Sequence, residues 1–129
     1  MAANTQPIFP GIPRNDPVTL VNADGTTKKS LLTAGANGAR VDSLHVATDD
    51  TSTAVLGVYL TKSGVDSYLG AVTIPAGAGG TGASPVELLD TINAGNPMVL
   101  GAGVSLKVGV AAAVTAGKTL TVVAFAGDF

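Results

Sequence analysis

Two apolar runs of strand length, joined by a short polar connection, set the terms for this chain. They occupy Thr53–Ile74 and read TAVLGVYLT, KSGVD and SYLGAVTI. Such a pair around a connection holding Gly64 and Asp66 predicts a β-hairpin. Side chains alternate along a strand, so Ala54, Leu56, Val58 and Leu60 share one face, with Val55 and Tyr59 opposite. On the second run Tyr68, Val72 and Ile74 share a face, with Leu69 and Thr73 opposite. Each run offers an apolar face that other parts of the chain must cover. The two strands are therefore expected at the centre of a β-sandwich, and neither carries a catalytic pattern.

Composition narrows what surrounds them. A length of 129 residues suits one domain. Hydrophobic residues make up 46% and charged residues 12%, enough for a core and too little charge for a disordered chain. Aromatics are 4% with no Trp, so the core must be Val, Leu, Ile and Ala. Seventeen Gly and seven Pro fit many short strands with frequent turns. A net charge of −2 gives no basic face for general nucleic-acid binding. The absence of cysteine excludes disulfides, thiolate metal sites and cysteine nucleophiles. A small domain with few charges and no disulfide is expected to draw stability from partner subunits. The opening residues show no basic stretch followed by an apolar one and do not read as a signal peptide. No apolar run reaches the roughly 18 residues of a membrane-spanning helix.

Residues 1–16 stand apart. Pro7, Pro10 and Pro13 recur every third position, and Pro17 follows. Proline fixes φ and turns the preceding residue away from helix, so an extended arm close to polyproline II is expected. Ile8, Phe9 and Ile12 lie between the prolines, and an extended arm cannot bury them against itself. They pack either on their own domain or on a partner, and docking is the favoured reading. The body, residues 17–129, begins with a short strand at Val18–Val21. Asp24-Gly25 is a turn pair, and Lys28–Thr33 is expected to return as the hairpin partner of that strand. Arg40–Thr48 is the next strand, with Leu44 and Val46 inward and Val41 out of phase, which implies a bulge or an early break.

The tract Pro75–Ala83 reads as a flexible low-complexity loop. Ser84, Pro85 and Glu87 then form a capping-box pattern for one short helix, with Val86, Leu88, Leu89 and Ile92 as its apolar stripe and Gly95 at its end. Pro97–Leu100, Ser105–Val110 and Thr119–Ala126 are the last strands. In the final one Leu120, Val122 and Ala124 face one way, Val123 and Phe125 the other. The whole is expected to be all-β: a jelly-roll-like antiparallel β-sandwich of seven to eight strands, with one short helix and an extended N-terminal arm.

Several constellations invite chemistry. Gly77, Gly79 and Gly82 spell G-x-G-x-x-G between a predicted strand and helix. The helix is too short for a crossover, and no acidic residue follows about 20 positions on, so a loop is expected and no cofactor. His45 follows Ser43 and Asp42, yet Ser43 and His45 on one strand face lie roughly 7 Å apart, too far for a triad; a surface or interface histidine is expected. Asp49, Asp50 and Asp66 would bind calcium only if loops gathered them; solvated acids are expected, and no metal. Lys28-Lys29 is a pair rather than a patch. Tyr59 and Tyr68 are the only aromatics placed for a lectin-like cluster. Phe129 ends the chain and is expected to pack, on its own sheet or on a neighbouring subunit.

Three stretches carry a family resemblance: the start MAANTQPI; the segment Asn37–Leu44 followed by Ala54–Leu60 and Tyr68-Leu69; and the ending VAFAGDF. Together they resemble capsid decoration, or cement, proteins of tailed bacteriophages. The resemblance implies a jelly-roll-like sandwich on the outer capsid surface of the virion, made in the host cytoplasm. It implies no enzymatic activity and no cofactor. The partner would be the major capsid protein, whose subunit contacts it would stabilise, and self-association as a homotrimer is favoured over other oligomers. No nucleic acid or membrane partner is expected. The residues expected to meet a partner are Pro7, Ile8, Phe9, Pro10, Ile12, Pro13 and Arg14 of the arm, with Phe125 and Phe129 at the C-terminus. The alternative expectation is another virion part (tail, baseplate or head fibre) or a carbohydrate-binding β-sandwich.

Overall fold

A computed structural model describes residues 10–80 and 83–129. The strands are β1 (Ile12–Val21), β2 (Lys29–Thr33), β3 (Ala39–Thr48), β4 (Ala54–Lys62), β5 (Val65–Ile74), β6 (Val86–Glu87), β7 (Met98–Leu100), β8 (Ser105–Val110) and β9 (Thr119–Asp128). One helix, α1 (Leu88–Ile92), separates β6 from β7. The strands form two antiparallel sheets, one ordered β1-β9-β3-β6 with β7 also on β3, the other β2-β8-β4-β5. β6 and β7 pair with different stretches of β3, at His45–Val46 and at Ala39–Val41, so they share one edge interrupted by the helix. Each sheet thus has four strand positions. The all-β sandwich expected from the alternating pattern is what the chain forms.

The inner faces are aliphatic. Leu20, Leu44, Val46, Leu56, Leu106 and Leu120 are fully buried, as are Leu88 and Leu89 of the helix. Non-directional burial of this kind is the main driving force for a domain with so few aromatics. Leu44, Val46, Leu120, Val122 and Ala124 face inward as their phase requires. The β3 ladder shifts register between Val41 and Ser43, so the out-of-phase Val41 marks a bulge at Asp42 and is itself buried.

Four expectations are corrected. β1 begins at Ile12, not Val18, and takes in residues assigned to the arm. It can do so because it is an edge strand. The Val21 amide turns away from β9 to Asp24 Oδ2 (2.9 Å), and the Thr19 carbonyl turns away to Lys29 Nζ (2.9 Å). By alternation the nitrogens of Pro13 and Pro17 lie on that same free side, where no ladder bond is lost. Second, β1 and β2 are not a hairpin: β1 pairs with β9 along its whole length and β2 pairs with β8. A 3₁₀ turn at Asn22–Asp24 carries the chain from one sheet to the other. Third, β5 lies at a sheet edge, and its ladder shifts between Val58 and Tyr59, where Leu69 is the extra residue. The shift puts Tyr68 outward opposite Tyr59, while Val72 and Ile74 stay inside.

Fourth, the helix starts later than the capping box predicts. Glu87, not Ser84, is the N-cap, and its carboxylate accepts the Leu89 amide at 3.1 Å. The same oxygen accepts the Leu44 amide at 2.8 Å, and the other accepts the Ser43 hydroxyl. Val86 and Glu87 are held extended against β3, so the local capping pattern loses to a carboxylate that satisfies the Leu44 amide and the Ser43 hydroxyl in the gap between β6 and β7. Gly95 ends the helix as expected, at φ +78 with its amide on the Leu89 carbonyl (2.8 Å).

Candidate functional site

Because β1 runs beside β9 from Ile12↔Asp128 to Val21↔Thr119, the arm and the C-terminus, expected separately to meet a partner, lie side by side. Pro10 packs on Gly127 so closely that a Cβ there would come within 2.5 Å of the proline ring. The Gly11 amide donates to the Asp128 carbonyl at 3.0 Å, fixing the point where the leading segment joins the fold. Ile12 is 60% exposed and Pro13 is exposed beside it. Phe129 is half-buried, its amide on the Gly38 carbonyl at 3.2 Å. Arg14 is engaged within its own domain: it pairs with Asp16 and with Asp128 (3.2 Å) and donates to the Thr33 carbonyl across the open side of the sandwich. Pro7, Ile8 and Phe9 lie outside the described residues.

The register of β1, β9 and β3 defines the outer face of the first sheet. Pro13, Gly127 and Arg40 form one row; Asn15, Phe125 and Ser43 the next; Pro17, Val123 and His45 the third. Phe125 stands in the middle of this face and is 43% exposed. Arg40 Nε lies 2.8 Å from Asp42 on this face, and the Glu87 carboxylate, opposite His45, marks its β6 edge. A shallow groove lined by Pro10, Pro13, Arg40, Asp42, Ala126 and Gly127 runs along the end of the face where the chain enters. The face thus mixes Pro13, Pro17, Val123 and the exposed Phe125 with Asn15, Ser43, His45 and the Arg40–Asp42 pair, an apolar centre with a polar surround.

The chemical constellations are drawn into structural duties. Ser43 binds Glu87, Asp42 binds Arg40, and His45 stands opposite Glu87 in the β3–β6 ladder, so the three do not converge. The glycine tract, expected to be flexible, is tied down in its described part. Ala78 is fully buried, its carbonyl accepts the Thr48 amide (2.8 Å), and the amides of Gly77 and Gly79 donate to Asp50 and Ala83 carbonyls (2.9 and 2.8 Å). Those amides are consumed and cannot cradle a phosphate; Gly82 lies outside the described residues. Gly79, at φ +88, passes so close to Ala47 that a Cβ would sit 2.8 Å from the alanine methyl.

The three aspartates separate to opposite ends of β4. Asp49 accepts the Thr119 amide at 2.8 Å. Asp50, only 4% exposed, accepts the Thr115 amide (3.0 Å), the Thr115 hydroxyl (2.7 Å) and the Ser52 amide (2.9 Å). The Thr115 bonds hold its carboxyl below the usual carboxylate range. Asp66 takes the Thr61 hydroxyl (2.6 Å), Lys28 (3.2 Å) and Lys107 (3.5 Å), and Thr61 first, then Lys28, lowers its pKa. Among the described residues no group of three or more His, Asp or Glu converges on one point, and no helix is long and apolar enough to cross a membrane.

Two features escaped the sequence. The Glu87 clamp depends on β6 ending beside Leu44, a long-range pairing that no local pattern signals. The joining of Tyr59 and Tyr68, with ring centroids 5.5 Å apart, depends on the β5 bulge, which Gly70 alone hints at. Set against protein-family models and curated proteins, the sequence matches none.

Proposed function

We propose that this chain is a non-catalytic decoration protein of a tailed-phage head. It binds the outer surface of the shell through the exposed face of β1, β9 and β3. Its leading segment, entering at Pro10, reaches a neighbouring major capsid protein subunit and ties the joint together. It acts as a homo-oligomer, with a trimer the favoured order. The observation that carries this reading is the exposed Phe125 with Pro13, Pro17 and Val123 around it, close to where a segment that holds Ile8 and Phe9 joins the fold at Pro10. The resemblance of the opening, middle and closing stretches supplies the class of partner. The absence of cysteine and the structural engagement of Ser43, Asp42, Asp50 and Asp66 support a role without chemistry. Apolar burial contributes about 25 cal/mol per Å² before ordering costs, and many copies acting in parallel stabilise a shell even when each is weak.

Copy number tests the reading. Quantitative mass spectrometry of purified virions is expected to find hundreds of copies per particle. A handful would assign the chain to a tail, baseplate or fibre instead, and its absence from virions would overturn the reading altogether.

A further inference from the structure

The chain does not enter β1 along the line of the strand. The Gly11 amide still donates to the Asp128 carbonyl (3.0 Å), continuing the β1–β9 ladder one step beyond Ile12↔Asp128. Pro10, however, lies over Gly127: a Cβ on that glycine would come 2.5 Å from the proline Cβ. Gly127 is on the outward side of β9, two residues from the exposed Phe125, yet it is buried. The chain therefore turns at Gly11 onto the outer face of the first sheet rather than away from it. Gly127 stands opposite Arg40 of β3, and Arg40 stands opposite Val99 of β7. Met98 and Leu100, on either side of Val99, oppose the buried Val41 and Ala39, so Val99 points outward. It is 69% exposed, the most exposed large hydrophobic side chain among the described residues.

We propose that in the free protein the leading segment folds back across this face, along the row Gly127, Arg40, Val99, and that the Pro7 ring caps Val99. The spacing of the prolines fits the row. In polyproline II, residues three apart lie on one side of the helix, about 9.3 Å from each other. Two strand spacings are about 9.6 Å. With Pro10 seated on β9 at Gly127, Pro7 comes down on β7, over Val99, and Ile8 and Phe9 pass on either side of Arg40. The Arg40 guanidinium pairs through Nε with Asp42 at 2.8 Å, which leaves its flat face for the Phe9 ring. The occupant is the chain's own segment rather than that of a second copy. Three residues suffice to reach Val99, and so short a tether holds the segment at an effective concentration in the millimolar range. The use of the fold-back rests on the attachment reading: the segment is stored on its own face until a shell subunit takes the place of Val99.

The test uses the free, full-length chain, which has no cysteine of its own. Pro7→Cys is combined with Val99→Cys and, as a control, with Val55→Cys, an exposed position on the outer face of the second sheet. A disulfide needs its two Cα atoms within about 7 Å. On oxidation in dilute solution the Pro7→Cys/Val99→Cys pair is expected to close within one chain, roughly tenfold or more faster than the control pair. Equal rates would overturn the proposal. So would disulfides formed only between chains, which would assign Val99 to a second copy. The unaltered proline is checked by ¹⁵N spectra of wild type and Phe9→Ala: the Arg40 and Val99 amides are expected to shift, while Gly57 and Tyr59 on the far sheet do not. Unchanged Arg40 and Val99 amides would equally overturn the fold-back. Neither measurement involves a capsid, so the fold-back can fail while attachment to heads stands, and attachment can fail while the fold-back stands.

Discussion

Asp50→Asn removes a charge while keeping the shape of the side chain, and its effect can be worked out from the contacts. In the wild type, one carboxylate oxygen accepts the Thr115 amide and the other accepts the Thr115 hydroxyl and the Ser52 amide. The carboxamide has one oxygen and one NH2 group, so whichever way it turns, a donor faces a donor. Hydrogen bonds to a charged group contribute about 1.5–3 kcal/mol each. Thr115 and Ser52 are exposed, so water recovers part of the loss, and a net cost of about 2 kcal/mol at neutral pH is expected. That corresponds to a fall of roughly 8 °C in Tm for a domain of this size. The pH dependence follows from the depressed folded-state pKa. The unfolded carboxyl titrates near its ordinary value of 3.8 and the folded one below it. The unfolded state therefore binds the proton first, and the stabilisation is fully present above that value. It is lost as pH falls through the folded pKa, so the gap between wild type and variant should narrow in acid. Urea denaturation at neutral pH and at about pH 3, with the slope m unchanged, measures both quantities. A variant within about 0.5 kcal/mol of wild type at neutral pH, or a gap that persists undiminished in acid, would refute the reasoning.

Two further substitutions probe the scaffold. Glu87→Ala strips the acceptor from the Ser43 hydroxyl and from the Leu44 and Leu89 amides; a loss of about 2 kcal/mol is expected, with faster hydrogen exchange at Leu44 as the local signature. Gly38→Ala places a Cβ at φ +86 and 2.5 Å from the Leu100 carbonyl oxygen. Backbone cannot yield there as a side-chain tip would, so a cost of about 2–4 kcal/mol is expected in thermal unfolding.

Alternation made the strands legible and left their pairing hidden. Leu120, Val122 and Ala124 announce an inward face, and Phe125 an outward one, from phase alone. Asp24-Gly25 marks a reversal of the chain, but a reversal does not say whether the next strand lies beside the last or in the facing sheet. β1 and β2 therefore read as a hairpin although they belong to different layers. Tyr68 was placed on the wrong face because the extra residue at Leu69 reverses every side chain before it relative to those after it. Ser84, Pro85 and Glu87 satisfy the local grammar of a capping box, yet long-range demand at Leu44 and Ser43 takes Glu87 for another duty. Arg14 looked free for a partner because Asp128 and Thr33, which occupy it, are distant in sequence. Proline in β1 misled for the opposite reason: the rule that excludes it from central strands does not apply to the free side of an edge.

The central claim is that the face around Phe125 is where the protein meets its partner. About 80 Å² of Phe125 remains to be covered, given its 43% exposure, worth about 2 kcal/mol or roughly thirtyfold in affinity. The direct measurement is a binding isotherm on purified heads lacking the protein, for wild type, Phe125→Asp and Tyr68→Ala. Phe125→Asp is expected to weaken attachment by at least that factor while Tyr68→Ala, on the opposite face, binds as wild type does. Equal binding by all three, with Phe125→Asp folded by circular dichroism, would contradict the account.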